Sequence, residues 1–244
     1  MLNAISDIAE KIGDKFITLA LFLRKREAGR TAASLPPMLF AAEAVQKLID
    51  DFEFETLLDV GCGAGHQANA FLNAGKKVTA IDYGESVYFK ENAERLNTII
   101  ADINTYEFGE QFDCVWCSHV LEHQLNPHAF LRRMHGLVKE GGILCVTVPP
   151  MKHEIVGGHV ALWNAGLLLY HLVLAGFDCS EAKVKSYGYN ISVIVRKRSI
   201  DVLSKIDYDS GDIRKIREYL PVGLPFGRSA HDDPFDGRIR SLNW

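Results

Sequence analysis

From residue 56 the chain alternates short apolar runs with stretches whose apolar positions recur at three- and four-residue steps. The runs at 56–60, 77–81, 97–101, 112–117 and 142–148 have the length of strands and are mostly apolar, as strands covered on both faces are. The stretches at 67–73 and 127–138 fill the gaps with helical periodicity. Alternation at this pace requires right-handed crossovers and a parallel sheet with helices on both sides. The expected class is therefore α/β, doubly wound. After Pro149-Pro150 come a loop-like insert and an apolar helix near 164–174. Two segments, 177–186 and 190–195, flank Tyr187-Gly188-Tyr189 and read as a closing antiparallel pair.

The ends of the chain read differently. Within residues 1–34, Ile5, Ile8, Ile12, Phe16 and Leu19 form one apolar stripe on a helix. That stripe suits a cap on the domain or a homodimer contact, and the cluster Arg24-Lys25-Arg26 also permits a membrane surface. A second helix is expected around Phe40, Ala41, Val45 and Leu48. The expected organisation is a lead-in at 1–34, a main domain at 35–198 and an extension at 199–244. The extension is charged and proline-bearing, with one short helix around 213–219.

Composition narrows the class. Of 244 residues, 48% are hydrophobic and 24% charged, which excludes a disordered or fibrous chain. The net charge of −4 gives no electrostatic footprint for DNA. The apolar run from Ile17 to Leu23 is too short to span a membrane, so no transmembrane segment is expected. Five cysteines, Cys62, Cys114, Cys117, Cys145 and Cys179, sit mostly inside apolar runs, which fits a reducing, cytoplasmic setting. Cys114 and Cys117 have metal-ligand spacing but lie in a strand-like run with no second pair, so no metal site is expected.

The chemistry concentrates in Leu57-Leu58-Asp59-Val60-Gly61-Cys62-Gly63-Ala64-Gly65. A strand running straight into glycines and then a helix lets backbone N–H groups approach a ligand closely. His66 stands where a dinucleotide fingerprint has its last glycine, and Asp59 precedes the turn by two positions. The second strand ends in Ile81-Asp82-Tyr83, where a carboxylate can accept from both ribose hydroxyls. The third ends in Ala101-Asp102-Ile103, where a carboxylate can accept from an adenine amino group. All these residues lie at carboxyl ends of parallel strands, the ligand side of such sheets.

With those residues in place, the sequence resembles the class I S-adenosylmethionine-dependent methyltransferases over roughly residues 40–196. The motifs stand as LLDVGCGAG, AIDYG, ADI, FDCVWCSHVLEH and VKEGGILCVTVPP. The resemblance implies a Rossmann-like sheet of seven mostly parallel strands with the last antiparallel, and S-adenosyl-L-methionine as cofactor. It further implies that Gly61, Cys62 and Gly63 line the methionine part, with Asp59 fixing the turn. Asp82 would hold the ribose with Tyr83 beside it, Asp102 and Ile103 would frame the adenine, and Ser118 and His119 would lie under the sulfonium.

The acceptor is addressed by the segment Lys152-His153-Glu154-Ile155-Val156-Gly157-Gly158-His159-Val160-Ala161-Leu162-Trp163-Asn164, directly after the fifth strand. Its two histidines, lysine, acid and tryptophan, with glycine flexibility, suit a small polar acceptor, with His153 and His159 as candidate bases for a hydroxyl. His119 and His123, four apart, would share a face on a helical turn with His128 following, so a metal site there is conceivable, but a structural or pocket-lining role is favoured for that stretch. The loop and the tail Ile239–Trp244 resemble bacterial methyltransferases of surface-polysaccharide synthesis, so the expectation is O-methylation of a sugar or glycan. An NAD-type oxidoreductase is disfavoured by His66 and Asp59. An RNA methyltransferase draws support from Arg196-Lys197-Arg198 and Arg214-Lys215-Arg217, against the acidic Asp232-Asp233-Pro234-Phe235-Asp236. A non-catalytic cofactor-binding protein of the same fold is the remaining alternative.

Overall fold

The computed structural model describes residues 40–86, 89, 96 and 98–244; the amphipathic stripe expected at 1–34 lies outside the described residues. Residues Met38–Trp244 cluster as one compact unit, so the 199–244 extension is part of the same body as the sheet.

Helix α1, Ala42–Asp51, turns Ala44, Val45 and Leu48 inward and feeds strand β1, Thr56–Val60. Then follow α2 at His66–Asn73, β2 at Lys77–Asp82, β3 at Thr98–Ile100 and β4 at Phe112–Ser118. Helix α3, Pro127–Leu137, starts where theory would start it: Asn126 accepts the Ala129 N–H and Pro127 occupies the first turn. β5 spans Val138–Val148, and α4, Ala165–Leu174, is capped by Asn164, which accepts from the Leu167 N–H. β6, Lys183–Tyr187, and β7, Asn190–Arg196, form a hairpin; α5, Asp212–Ile216, and β8, Ser241–Leu242, complete the described elements.

The strands lie in the order β3-β2-β1-β4-β5-β7-β6-β8. β1 to β5 run parallel, and β7 is antiparallel to β5, as expected for a doubly wound α/β sheet closed by a reversed strand. The register sets Val60 beside both Ile81 and Cys117, so β1, β2 and β4 deliver their carboxyl ends to one edge. Beneath that edge lies a continuous apolar core that includes Leu58, Val115, Phe130, Leu144 and Trp163.

Three boundaries depart from expectation. The sheet has eight strands rather than seven, because Ser241–Leu242 adds to the β6 edge. β5 starts at Val138 rather than 142: its register against β4 shifts between Phe112 and Cys114, and a Cβ at Gly142 would meet the Asp113 carbonyl at 2.8 Å. Residues 177–182 form a turn rather than a strand, with the Ala182 N–H donating to Cys179 O.

Opposite edges of the sheet are held differently. At the amino edge, Asp113 accepts from the Thr56 N–H, the Thr56 hydroxyl and the Lys139 ammonium, which together hold its carboxyl well below the usual range. At the carboxyl side, Thr147 and Ser192 hydroxyls meet at 2.7 Å, and Tyr187 Oη lies 2.9 Å from Ser192 Oγ. Tyr187 Oη also accepts the Ala44 N–H, which is shared with Ala41 O in the first turn of α1. All five cysteines are free and buried; Cys114 and Cys117, three apart on β4, point to opposite faces of the sheet and form no ligand pair.

Replacing Tyr187 by Phe keeps the ring but removes the hydroxyl shared by the Ala44 N–H and Ser192, leaving the Ala44 N–H to Ala41 O alone. Urea unfolding of Tyr187→Phe is expected to show a loss of about 0.5–1.5 kcal/mol, the net worth of a lost hydrogen bond.

Candidate active site at the carboxyl edge

The turn after β1 is a left-handed staircase. Gly61, Gly63 and Gly65 have φ of +70°, +49° and +70°, values that side chains disfavour. The Gly61 N–H continues the β1–β2 ladder onto Ile81 O at 2.8 Å, and a Cβ there would fall 2.3 Å from Val120. Glycine is therefore demanded both by conformation and by the loop that follows β4.

Asp82 fastens this turn. Its two carboxylate oxygens accept the Gly63 N–H at 2.8 Å and the Gly84 N–H at 2.9 Å, and the residue is 8% exposed. Each oxygen keeps a further lone pair, so the carboxylate can still receive donors from a ligand. Asp59 lies deeper, with one oxygen lacking any hydrogen bond. Burial, assisted by the negative charge of Asp82, pushes its carboxyl up to about 7, against the opposing pull of the Ala68 N–H. Cys62 is buried against Thr98, its sulfur 3.8 Å from the hydroxyl, and burial raises its thiol to about 12.

The remaining expected residues divide. Tyr83 is 67% exposed beside Asp82, free to cover a ligand. Asp102 uses one oxygen to accept from the Asn104 backbone and side chain. Ile103 turns into the core cluster, and its carbonyl accepts from Arg133. The Ser118 hydroxyl is buried without a partner.

His119 is the most constrained of the set. It sits at φ +57°, its N–H donating to Thr147 O, with its ring 4.8 Å from Phe40 and stacked on Tyr189. Asn190 Oδ1 accepts the Ala41 N–H, so it must also accept from His119 Nε2, 3.0 Å away. The other ring nitrogen, Nδ1, faces Glu122 Oε1 at 3.3 Å.

Across the site, Pro150 bridges to Trp163 and the Met151 N–H donates to Trp163 O, closing the acceptor loop at its neck. Trp163, expected to meet the acceptor, is buried in the core instead. His153 is exposed and makes no side-chain hydrogen bond among the described residues. His159 is half-buried, edge-on to His123 with ring centroids 5.0 Å apart.

Residues 58–146 match the family model described as a methyltransferase domain. Over this segment the chain is similar to methyltransferase domains. A ubiquinone biosynthesis O-methyltransferase of Pseudomonas paraeruginosa is 38% identical over 96 residues, 36% of this chain and 41% of that protein. The match thus spans about two fifths of the length of such curated relatives. Among solved structures, the Burkholderia thailandensis 1,6-didemethyltoxoflavin-N1-methyltransferase, bound to S-adenosylhomocysteine, aligns with a TM-score of 0.54 at 19% identity, covering 79% of this chain and 90% of that one. CalS10, an amino pentose methyltransferase from Micromonospora echinaspora, aligns with a TM-score of 0.52 at 14% identity, covering 64% and 89%. Both likenesses establish the fold.

The matched segment contains the glycine turn, Asp59, Asp82, Asp102, Ser118 and His119, whereas His153, His159 and Asn190 follow it. The sequence reading passed over Glu122 and Asn190. Glu122 left a trace, a carboxylate three residues after His119 and next to His123; Asn190 is 71 positions from His119 and left none.

The raised Asp59 carboxyl has a sign that can be measured. Its folded pKa of about 7 exceeds the unfolded value of 3.8, so the folded state binds the extra proton between these values. The stability it contributes is complete below pH 4 and is lost as the pH rises to 7. In a calorimetric series, Asp59→Asn is expected to flatten the fall in Tm between pH 4 and 7; an unchanged slope would remove Asp59 as its source.

Proposed function

We propose that this protein transfers a methyl group from S-adenosyl-L-methionine to a hydroxyl of a small polar acceptor, a sugar or glycan of surface-polysaccharide synthesis. The observation carrying the reading is the Asp82 carboxylate clasping Gly63 and Gly84 at the carboxyl ends of β1 and β2. The orphaned Ser118 hydroxyl and the unspent lone pairs of Asp82 fit a polar ligand along that edge. When bound, the cofactor supplies an electrophilic methyl on a sulfonium. The chain's task is then to align, to exclude water and to relieve the acceptor of its proton.

Each residue has a part in this. Gly61, Cys62 and Gly63 present backbone to the methionine portion, and Asp59 braces the turn from below. Asp82 accepts from the ribose hydroxyls with Tyr83 over them. The second Asp102 oxygen accepts from the adenine amino group, and Ile103 contributes a narrow exposed edge. Ser118 and His119 stand under the reacting centre, with His119 held in one tautomer by Asn190. His159 faces the acceptor side. His153, though on the same loop, has no such anchorage.

Lys152, Glu154, His159 and Tyr189 lend polar groups to a small cleft at the loop whose other walls are apolar, among them Met151, Val156, Leu162 and Trp163. The loop also exposes Met151, Ile155, Val160 and Leu162, which favours a second reading, an acceptor with a long apolar portion. The O-methyltransferase name of the curated relatives agrees with attack by oxygen. Most of the basic groups that favoured an RNA acceptor are engaged within the chain. Lys197 is buried, donating to two carbonyls; Arg198 pairs with Asp178 and Glu181, and Arg214 and Arg217 both pair with Asp233. No helix among the described residues is long and apolar enough to cross a membrane.

Calorimetry with S-adenosylhomocysteine is expected to show binding that Asp82→Ala weakens by about 1–3 kcal/mol, the cost of unpaired donors. Tight NADH binding in its place would refute the reading. In a methyl-uptake screen of nucleotide sugars, glycans and lipid-linked acceptors, His159→Ala is expected to lower kcat by about 10²–10⁴ with cofactor affinity unchanged. His153→Ala and the double variant belong in the same assay, and full activity in all three would clear both histidines.

A further inference from the structure

Glu122 is 1% exposed, and neither of its carboxylate oxygens has a hydrogen bond. A buried carboxylate without compensation is among the costliest things a fold can hold, so something must face it. The groups that do face it are imidazoles. His123 Nε2 lies 3.9 Å from Glu122 Oε1, and His119 Nδ1 lies 3.3 Å away.

In its neutral form each ring commits its one proton elsewhere. His123 Nδ1 is 2.7 Å from Gly158 O, a pure acceptor, so it carries the proton and leaves Nε2 with a lone pair. His119 Nε2 donates to Asn190 Oδ1, which leaves Nδ1 with a lone pair in the neutral ring. Lone pairs thus converge on a carboxylate with no donor between them. Donation of the far N–H to a carbonyl is how metal-binding histidines are fixed in tautomer and orientation.

A third donor is brought in by the acceptor loop. The Val160 and Ala161 N–H groups both donate to Glu122 O, which clips the loop to the short 3₁₀ turn Leu121–His123 and sets His159 against His123. One ligand atom each from Glu122, His123 and His159 fall within 4.8 Å of one another. Tetrahedral zinc with bonds of about 2.0–2.1 Å holds its donors about 3.3 Å apart, so the set would draw together by up to about 1.5 Å on binding.

We propose that Glu122, His123 and His159 bind one zinc-class divalent cation at the acceptor end of the site. Two imidazoles and one carboxylate form the three-ligand set that leaves a position open, and His123 is 45% exposed, so that position faces solvent. Resting on the methyltransferase reading only for its purpose, the cation orients an acceptor hydroxyl and lowers its pKa. Hard cations such as Mg²⁺ prefer oxygen ligands and fit this set poorly.

Binding is measured on the full chain without cofactor or acceptor. After dialysis against a chelator, titration with Zn²⁺ is expected to give one equivalent per chain. Co²⁺ is expected to give the visible absorption bands of a four-coordinate site, and Mg²⁺ no response. His159→Ala and His123→Ala are each expected to weaken Zn²⁺ by at least tenfold, as is Glu122→Gln. Because Glu122 is buried, the loop variant His159→Ala, checked by circular dichroism, keeps the test intact if Glu122→Gln fails to fold. No stoichiometric Zn²⁺ binding, or binding that survives in both histidine variants, would overturn the proposal. S-adenosylhomocysteine binding by the same metal-free sample reports separately on the methyltransferase reading.

Discussion

Taking a carboxylate out of water costs several kcal/mol unless amides, protons or cations face it, and this fold does so three times along one edge of its sheet. Asp59 is 2% exposed, Asp82 8% and Glu122 1%. The neighbourhood meets each in a different way. Backbone N–H groups satisfy Asp82, and the environment of Asp59 favours its proton. Glu122 has only imidazole nitrogens before it. The glycine turn is fastened to Asp82, and the acceptor loop is clipped to the backbone of Glu122.

The parallel ladder makes that placement possible. With Val60 in register with Ile81 and Cys117, the ends of β1, β2 and β4 emerge side by side, and the acids that follow them converge without long side chains. The β6–β7 hairpin then reaches in from the antiparallel half. Asn190 joins the backbone at the start of α1 to His119, and Tyr187 and Ser192 extend the same polar seam to Thr147 on β5. A shift in any one of these elements disturbs His119, which is why that histidine tolerates φ +57°.

Much of this was legible in the chain. The apolar runs located β1 to β5 and β7 because strands buried on both faces need unbroken apolar sequence, and the glycines at 61, 63 and 65 announced positive φ. β8 was not legible, since two residues carry no period, and neither was the bulge that starts β5 at Val138. In the site, residues adjacent to strand ends could be named in advance, whereas Trp163 was misjudged because its burial depends on α4. Glu122 looked like an ordinary polar residue of a helical turn. Its significance arises from a loop some 36 residues later, and separation of that kind leaves no trace in periodicity.

The claim at the centre is that Asp82 and the glycine turn hold the nucleoside of the methyl donor at the carboxyl edge. A crystal structure of the full chain with S-adenosylhomocysteine tests it directly. The account requires the ribose hydroxyls within about 3.2 Å of Asp82 and the methionine portion over Gly61–Gly63. A ligand bound elsewhere, or a ribose that leaves Asp82 to its two backbone amides alone, would contradict it.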